Sequence, residues 1–207
     1  MAEVFQGWSE DFQPFFIGLE LDNSKTYFEA RKKVYLERVK RPMELLLAEL
    51  EPEFGKGKIF RPNRDIRFSA DKRPYKTNLA ATVEKGGYVS LDAKGLMVGG
   101  GRYHLEKPGV DAYRAGVAAD RSGKQLAEIV ERLEAEGYEI GGEEMKRVPP
   151  GFPADHPRAR LLRFKGLIAW KNLGLHPWLG SAKARERIAG AWRDIQPLDR
   201  WFDAALR

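Results

Sequence analysis

"LAATVEKGGYVSLDAKGLMV", residues 79–98, decides the fold. Three short apolar or alternating runs, 79–83, 88–91 and 96–98, are separated by Gly86–Gly87 and Lys94–Gly95. Glycine supplies the backbone freedom of tight hairpin turns. Links this short cannot carry the crossover of a parallel pair, so an antiparallel meander is expected. Outward from it, Ile59–Phe60 reads as a strand, as do 167–170 and, weakened by Gly141–Gly142, 138–146.

Helical periodicity occupies the rest. Phe12, Phe15, Phe16 and Leu19 mark one helix face over residues 9–20, with Ser9 as its expected cap. A longer pattern restarts at Asn23–Ser24 and runs through Tyr27 and Phe28 to Leu50. Pro42 is expected to kink or divide it and Glu51–Pro52 to end it. Helices are also predicted at 108–118 and at 121–136, where Leu126, Ile129, Val130 and Leu133 form a stripe closed by Gly137. The last begins near Ser181 and carries Ile188, Trp192 and Ile195, until Pro197 breaks the pattern. The expectation is an α+β fold in which an antiparallel meander sheet packs against N-terminal, middle and C-terminal helices, as one domain over 1–207.

Composition narrows the classes of function. A chain of 207 residues, 43% apolar and 32% charged, can bury a core and is not of disordered type. Without cysteine there is no disulfide framework, thiolate nucleophile or Cys-based zinc site. The N-terminal residues lack a basic stretch followed by an apolar run, and nothing approaches the roughly 18 apolar residues that span a bilayer. A soluble cytoplasmic protein without a membrane partner is expected. The net charge of +6 is uneven: 55–107 holds 12 basic and 5 acidic residues, and 146–207 holds 13 and 5. Such clustering points to an anionic partner, either a small molecule or, as the second class, nucleic acid.

The basic cluster centres on "RPNRDIRFSADKRPYKTN", residues 61–78. If 64–69 is extended, Ile66 and Phe68 face the core, while Asp65, Arg67 and Ser69 face outward. Asp71 and Pro74 then make "ADKRPYKTN" a turn-rich loop, with the Tyr75 ring packed and its hydroxyl available. Arg64, Arg67, Lys72 and Lys76 would hold a phosphate or carboxylate, with Tyr75 or Ser69 orienting it. Asp65 and Asp71 allow a second reading, in which the same charges form an internal salt-bridge brace. The residues alone do not choose between them.

"RDIRFSADKRPYKTN" resembles the signature of a bacterial and fungal family known as domain of unknown function 2461. The resemblance extends to "NSKTYFEARKKVY" (23–35), "LMVGGGRY" (96–103) and "KRVPPGFPADHPRARLLRFKGL" (146–167). It carries over Arg64, Asp65, Arg67, Phe68, Ser69, Asp71 and Lys72, then Pro74, Tyr75, Lys76 and Thr77. Further along it carries Gly100, Gly101, Pro150, Gly151, His156, Pro157 and Lys165. Arg73 stands where the resemblance leads one to expect a smaller residue, typically Thr. What it implies is a single domain of α/β type; it supplies positions without chemistry.

Other motifs are weaker. "VGGGRYH", 98–104, fits neither a dinucleotide fingerprint nor a Walker loop, so a bulge or close backbone approach is favoured. Gly100, Gly101 and Arg102 would still let a ligand approach the basic face, and Lys165 would join it. Asp155 beside His156 reads first as the cap of a helix begun by Pro157 and second as a base oriented by a carboxylate. If the protein is an enzyme, Asp65 or Asp71 is the expected base and His156 the alternate. His104, His156 and His176 show no metal-ligand spacing, so no metal or cofactor is expected. The five tryptophans are expected in the core.

Overall fold

The runs of 79–98 are strands β2 (Asn78–Val83), β3 (Gly87–Asp92) and β4 (Gly95–Arg102), joined by the two expected turns. The computed structural model describes residues 3–67 and 69–207. With β1 (Gly57–Ile59), β5 (Glu139–Gly141) and β6 (Leu167–Gly174) they form a six-stranded antiparallel sheet in the order β1-β2-β3-β4-β6-β5. Register follows alternation: Leu79 pairs with Leu91 and Ala81 with Val89, all four buried. Helices pack against this sheet, giving the expected α+β class. The chain divides into two compact units: Met1–Glu84 with Tyr88–Val98 and Asn172–Gly190, and Lys85–Gly87 with Gly99–Lys171 and Ala191–Arg207.

In the first unit, α1 (Phe12–Leu21) buries Phe12, Phe15, Phe16 and Leu19 as their spacing requires. Ser9 does not cap it; its hydroxyl donates to Asp11 Oδ2 (3.0 Å), and the helix begins three residues later. α2 (Lys25–Val34) is capped by Ser24, whose Oγ accepts from Tyr27 N (3.1 Å). A π-helical turn, Tyr35–Lys40, then leads into α3 (Arg41–Phe54). The physical reason is Pro42: it has no N–H, and its ring collides with the carbonyl four residues back in α geometry. Widening the turn relieves that conflict, and Arg41 N reaches Leu36 O, five residues back. Proline therefore divides the helix by changing its period, not by breaking it. Pro52 does not end α3, which continues to Phe54 and stops at Gly55, whose φ of 78° suits a glycine.

In the second unit, α4 (Lys107–Ala118) and α5 (Asp120–Ala135) match the expected helices closely. α5 ends in a Schellman motif, with Tyr138 N donating to Leu133 O (2.9 Å) and Gly137 N to Glu134 O (3.0 Å). The strand expected over 138–146 shortens to Glu139–Gly141, because Gly142 (φ 155°) turns the chain against Gly166. Asp155 caps nothing: the short α6 (Ala159–Leu162) begins after Arg158 without a side-chain cap. Arg158 instead closes the end of α4, its Nε donating to Val117 O (2.7 Å) and Nη2 to Ala118 O (3.0 Å). α7 (Lys183–Ala205) runs straight through Pro197. Interior proline costs about 3 kcal/mol, whereas burying each of Trp192, Ile195, Leu198, Trp201 and Phe202 contributes roughly 1.5–3 kcal/mol, so packing wins. Trp8, Trp192 and Trp201 are core residues as expected, while Trp170 and Trp178 are half-buried.

Replacing Pro197 restores a donor to a helix already held in place. Pro197→Ala is expected to raise unfolding free energy by about 1–3 kcal/mol in urea titration. A loss of stability would show that the proline ring contributes packing that outweighs the missing bond.

Candidate functional site

In the described residues of 61–77 the motif is a loop, not an extended strand. Its neck closes by two backbone bonds, Arg64 N to Pro74 O and Lys76 N to Pro62 O, both 2.8 Å, around the Asn63–Tyr75 bridge. Inside, Arg67 is paired with Asp65 through Nε (3.0 Å) and Nη2 (2.7 Å), and its backbone N–H donates to the same carboxylate. Asp71 receives Arg73 through Nε and Nη2, and Arg64 through Nη1 (2.5 Å). Lys72 Nζ donates to Ile66 O (3.1 Å), and Ser69 N closes a turn onto the same carbonyl (3.4 Å). Ile66 is half-buried; Phe68, its expected companion, lies outside the described residues.

These pairings bear on proton chemistry. The Arg67 side chain, then its backbone N–H, holds Asp65 below the usual carboxylate range. Arg73, then Arg64, holds Asp71 far below it. A carboxylate stabilised as the anion has little affinity for a proton, so both acids are poorly suited to serve as a base at neutral pH. Their geometry is that of a brace. Arg73, the residue that departs from the family signature, completes it.

What orders the loop is Asn23, expected from the sequence only to restart the helical pattern. Its Oδ1 accepts from Tyr75 N (2.9 Å), while its Nδ2 donates to Tyr75 O and to Leu19 O, each 3.1 Å. Tyr75 is thereby seated flat on Phe28, ring centroids 4.2 Å apart and planes 7° from parallel. Beside this stack lies a groove of about 470 Å³, walled by Phe28, Tyr35, Phe60 and Tyr75. Lys32, Lys40 and Arg61 stand around it together with Glu29 and Asn63. Lys76 lies with its ammonium 5.2 Å from the Phe60 ring centroid. Lys32 pairs with Glu29 (3.0 Å) and Lys40 with Glu44 (2.9 Å), both partly exposed. Tyr35 is 5% exposed, and its hydroxyl is buried without a hydrogen-bond partner among the described residues. Burial, with a smaller contribution from Glu44, pushes this phenol up to about 12.

The remaining site candidates belong to the second unit, where each has its own partners. Arg102 donates to Asp199 Oδ1 (2.7 Å) and to Asp203 Oδ1 (2.8 Å). Gly100 and Gly101 make room: a Cβ on the first would meet Ile195 and Gly86 O, and on the second, at φ 104°, Leu167 O. Lys165 pairs with Glu143. His156 Nδ1 accepts from Arg158 N (3.0 Å), so the neutral ring carries its proton on Nε2. Asp199, unnoticed in the sequence, is 5% exposed and also accepts from Gly101 N (3.2 Å). Among the described residues no group of His, Cys, Asp and Glu is arranged to hold a metal ion, and no helix is long and apolar enough to cross a membrane.

An α+β chain with a braced basic loop beside an aromatic groove thus stands defined by its geometry. The family model described as "Conserved hypothetical protein (DUF2461)" matches residues 11–201, and the chain belongs to that family. No curated protein and no solved structure matches it.

Two expected outcomes follow from these contacts. Asn23→Ala removes three hydrogen bonds and is expected to cost about 1–3 kcal/mol in chemical denaturation, with the loop becoming more susceptible to protease. Unchanged stability and cleavage would deny Asn23 the ordering role. Burial raises Asp199 to about 7, against the opposing pull of Arg102 and the Gly101 amide. The folded chain then binds this proton more tightly than the unfolded chain, so the Asp199 contribution declines as pH rises from about 4 towards 7. Relative to Asp199→Asn, wild type is expected to lose stability over that interval; parallel profiles would show that the carboxylate stays ionised throughout.

Proposed function

We propose that the protein binds a small phosphate- or carboxylate-bearing molecule with an apolar body in the groove of the first unit. The observation that carries this reading is Tyr35, which lines the groove and whose hydroxyl is buried without a hydrogen-bond partner among the described residues. Leaving such a group unsatisfied costs roughly 1–3 kcal/mol, and native structures rarely do so without cause. With its pKa raised, the phenol is a neutral donor at physiological pH, and an oxyanion is the acceptor it lacks. The π turn that carries Tyr35 is an irregularity often found at functional sites.

Lys32, Lys40 and Arg61 supply the charge. The pairs of Lys32 and Lys40 with their glutamates are partly exposed, and such pairs are worth about 0–1 kcal/mol, so an incoming anion exchanges for them at little cost. Tyr75 shapes the wall, Asn23 holds it in position, and the pairs of Arg64 and Arg73 with Asp71 brace the loop beyond it. The loop cations first expected to grip the anion are thus assigned to support, and the neighbouring groove to binding. The reading includes no chemical step.

Tyr35→Phe separates function from stability. The variant is expected to melt higher than wild type without ligand, since it deletes an unsatisfied buried group. It should bind phenyl phosphate at least tenfold more weakly by calorimetric titration, the effect of one charge-assisted hydrogen bond. If phosphate, phenyl phosphate and benzoate all fail to bind wild type, the reading falls.

A further inference from the structure

We infer that the ligand of the groove is a nucleoside monophosphate, a dianionic phosphoryl head joined to a flat heteroaromatic ring. The inference rests on the anion-binding reading above and names the class of ligand for that same site. Charge comes first. Lys32, Lys40 and Arg61 set against Glu29 leave the lining two positive charges in excess, with Lys40 paired to Glu44 just outside it. A carboxylate neutralises one of them, whereas a phosphomonoester, whose second pKa is about 6, neutralises nearly both at neutral pH.

Size and surface restrict the rest of the molecule. A groove of about 470 Å³ lies within the roughly 300–1,000 Å³ typical of small-molecule sites and leaves most of its length empty around a bare phosphate. That remaining length is apolar, with Leu36, Ile59 and Pro62 lining it beside the aromatic rings. Phe28 and Tyr75 occupy one another's faces, but Phe60 is half-buried and lines the groove with Lys76 near its ring. A planar base stacks on such a ring, and stacking tolerates any base because each has a π face. Two polar groups also line the groove. Asn63 presents both a donor and an acceptor from a backbone fixed by its bridge to Tyr75, and Glu29 accepts. Those are the complements of the amide and exocyclic amine edges of nucleobases.

The test is calorimetric titration of the full chain, at one ionic strength, with the four ribonucleoside 5′-monophosphates, their unphosphorylated nucleosides, ribose 5-phosphate and phenyl phosphate. At least one nucleotide is expected to bind tenfold or more tightly than ribose 5-phosphate and phenyl phosphate, the worth of one base stack with its edge contacts. Phe60→Leu should erase that advantage, while Tyr35→Phe should weaken nucleotide and ribose 5-phosphate by the same factor. If all the phosphomonoesters bind alike, the nucleoside inference is overturned and anion binding stands. If nucleosides bind as tightly as nucleotides, the anion-binding reading itself fails. Absence of binding by every probe removes both. Should Phe60→Leu fail to fold, the wild-type series alone decides between these outcomes.

Discussion

One asparagine side chain governs the geometry of the first unit. By bonding both the N–H and the carbonyl of Tyr75 while receiving no help from the regular ladder, Asn23 fixes a loop residue 52 positions away against the end of α1. From that clamp follow the Phe28–Tyr75 stack, the closed neck of the basic loop and the far wall of the groove. The ion pairs within the loop lie downstream of it, since paired charges at a loop tip restrict one another but do not say where the loop rests. Partly exposed pairs contribute little stability each. A buried aromatic stack held by amide hydrogen bonds contributes more, and it has a single geometry.

The dense charge of 61–78 illustrates how far a cluster of one sign can mislead. Its cations are fewer than they look once pairing is considered, because Asp65 and Asp71 accept Arg67, Arg64 and Arg73 through six hydrogen bonds from guanidinium nitrogens to carboxylate oxygens at 2.5–3.1 Å. Of the two buried side-chain atoms without a partner among the described residues, the Tyr35 hydroxyl and Arg163 Nε, the first lies on a helix, in a tyrosine that any helical reading would assign to the core. A hydroxyl without a partner is visible only when its surroundings are, and no local pattern of residues announces it.

How much was legible follows the range of the forces involved. The meander, the stripe of α5 and its Gly137 stop depend on neighbours within a few residues, and the sequence displays them. Proline effects were half legible. The conflict at Pro42 is local and was foreseen, but its resolution by a wider turn, and the tolerance of Pro52 and Pro197, depend on the burial of residues such as Phe54 and Trp201. The glycines of 99–101 announced a close approach without revealing to what; the answer includes Asp199, nearly a hundred positions on. His156 shows the converse. Its neighbour Asp155 drew attention, yet the backbone of Arg158 sets its tautomer.

The sheet also has ends, and their brevity limits how copies of this chain can meet. β1 and β5 are the outermost strands, and each spans three residues. Gly57 and Lys58 occupy one edge, Glu139 and Gly141 the other. An incoming strand finds a template too short to hold register, with a charge and a glycine in each three-residue strand. Aggregation through sheet extension is therefore disfavoured by construction, even during the transient openings in which longer, more apolar edges recruit their neighbours.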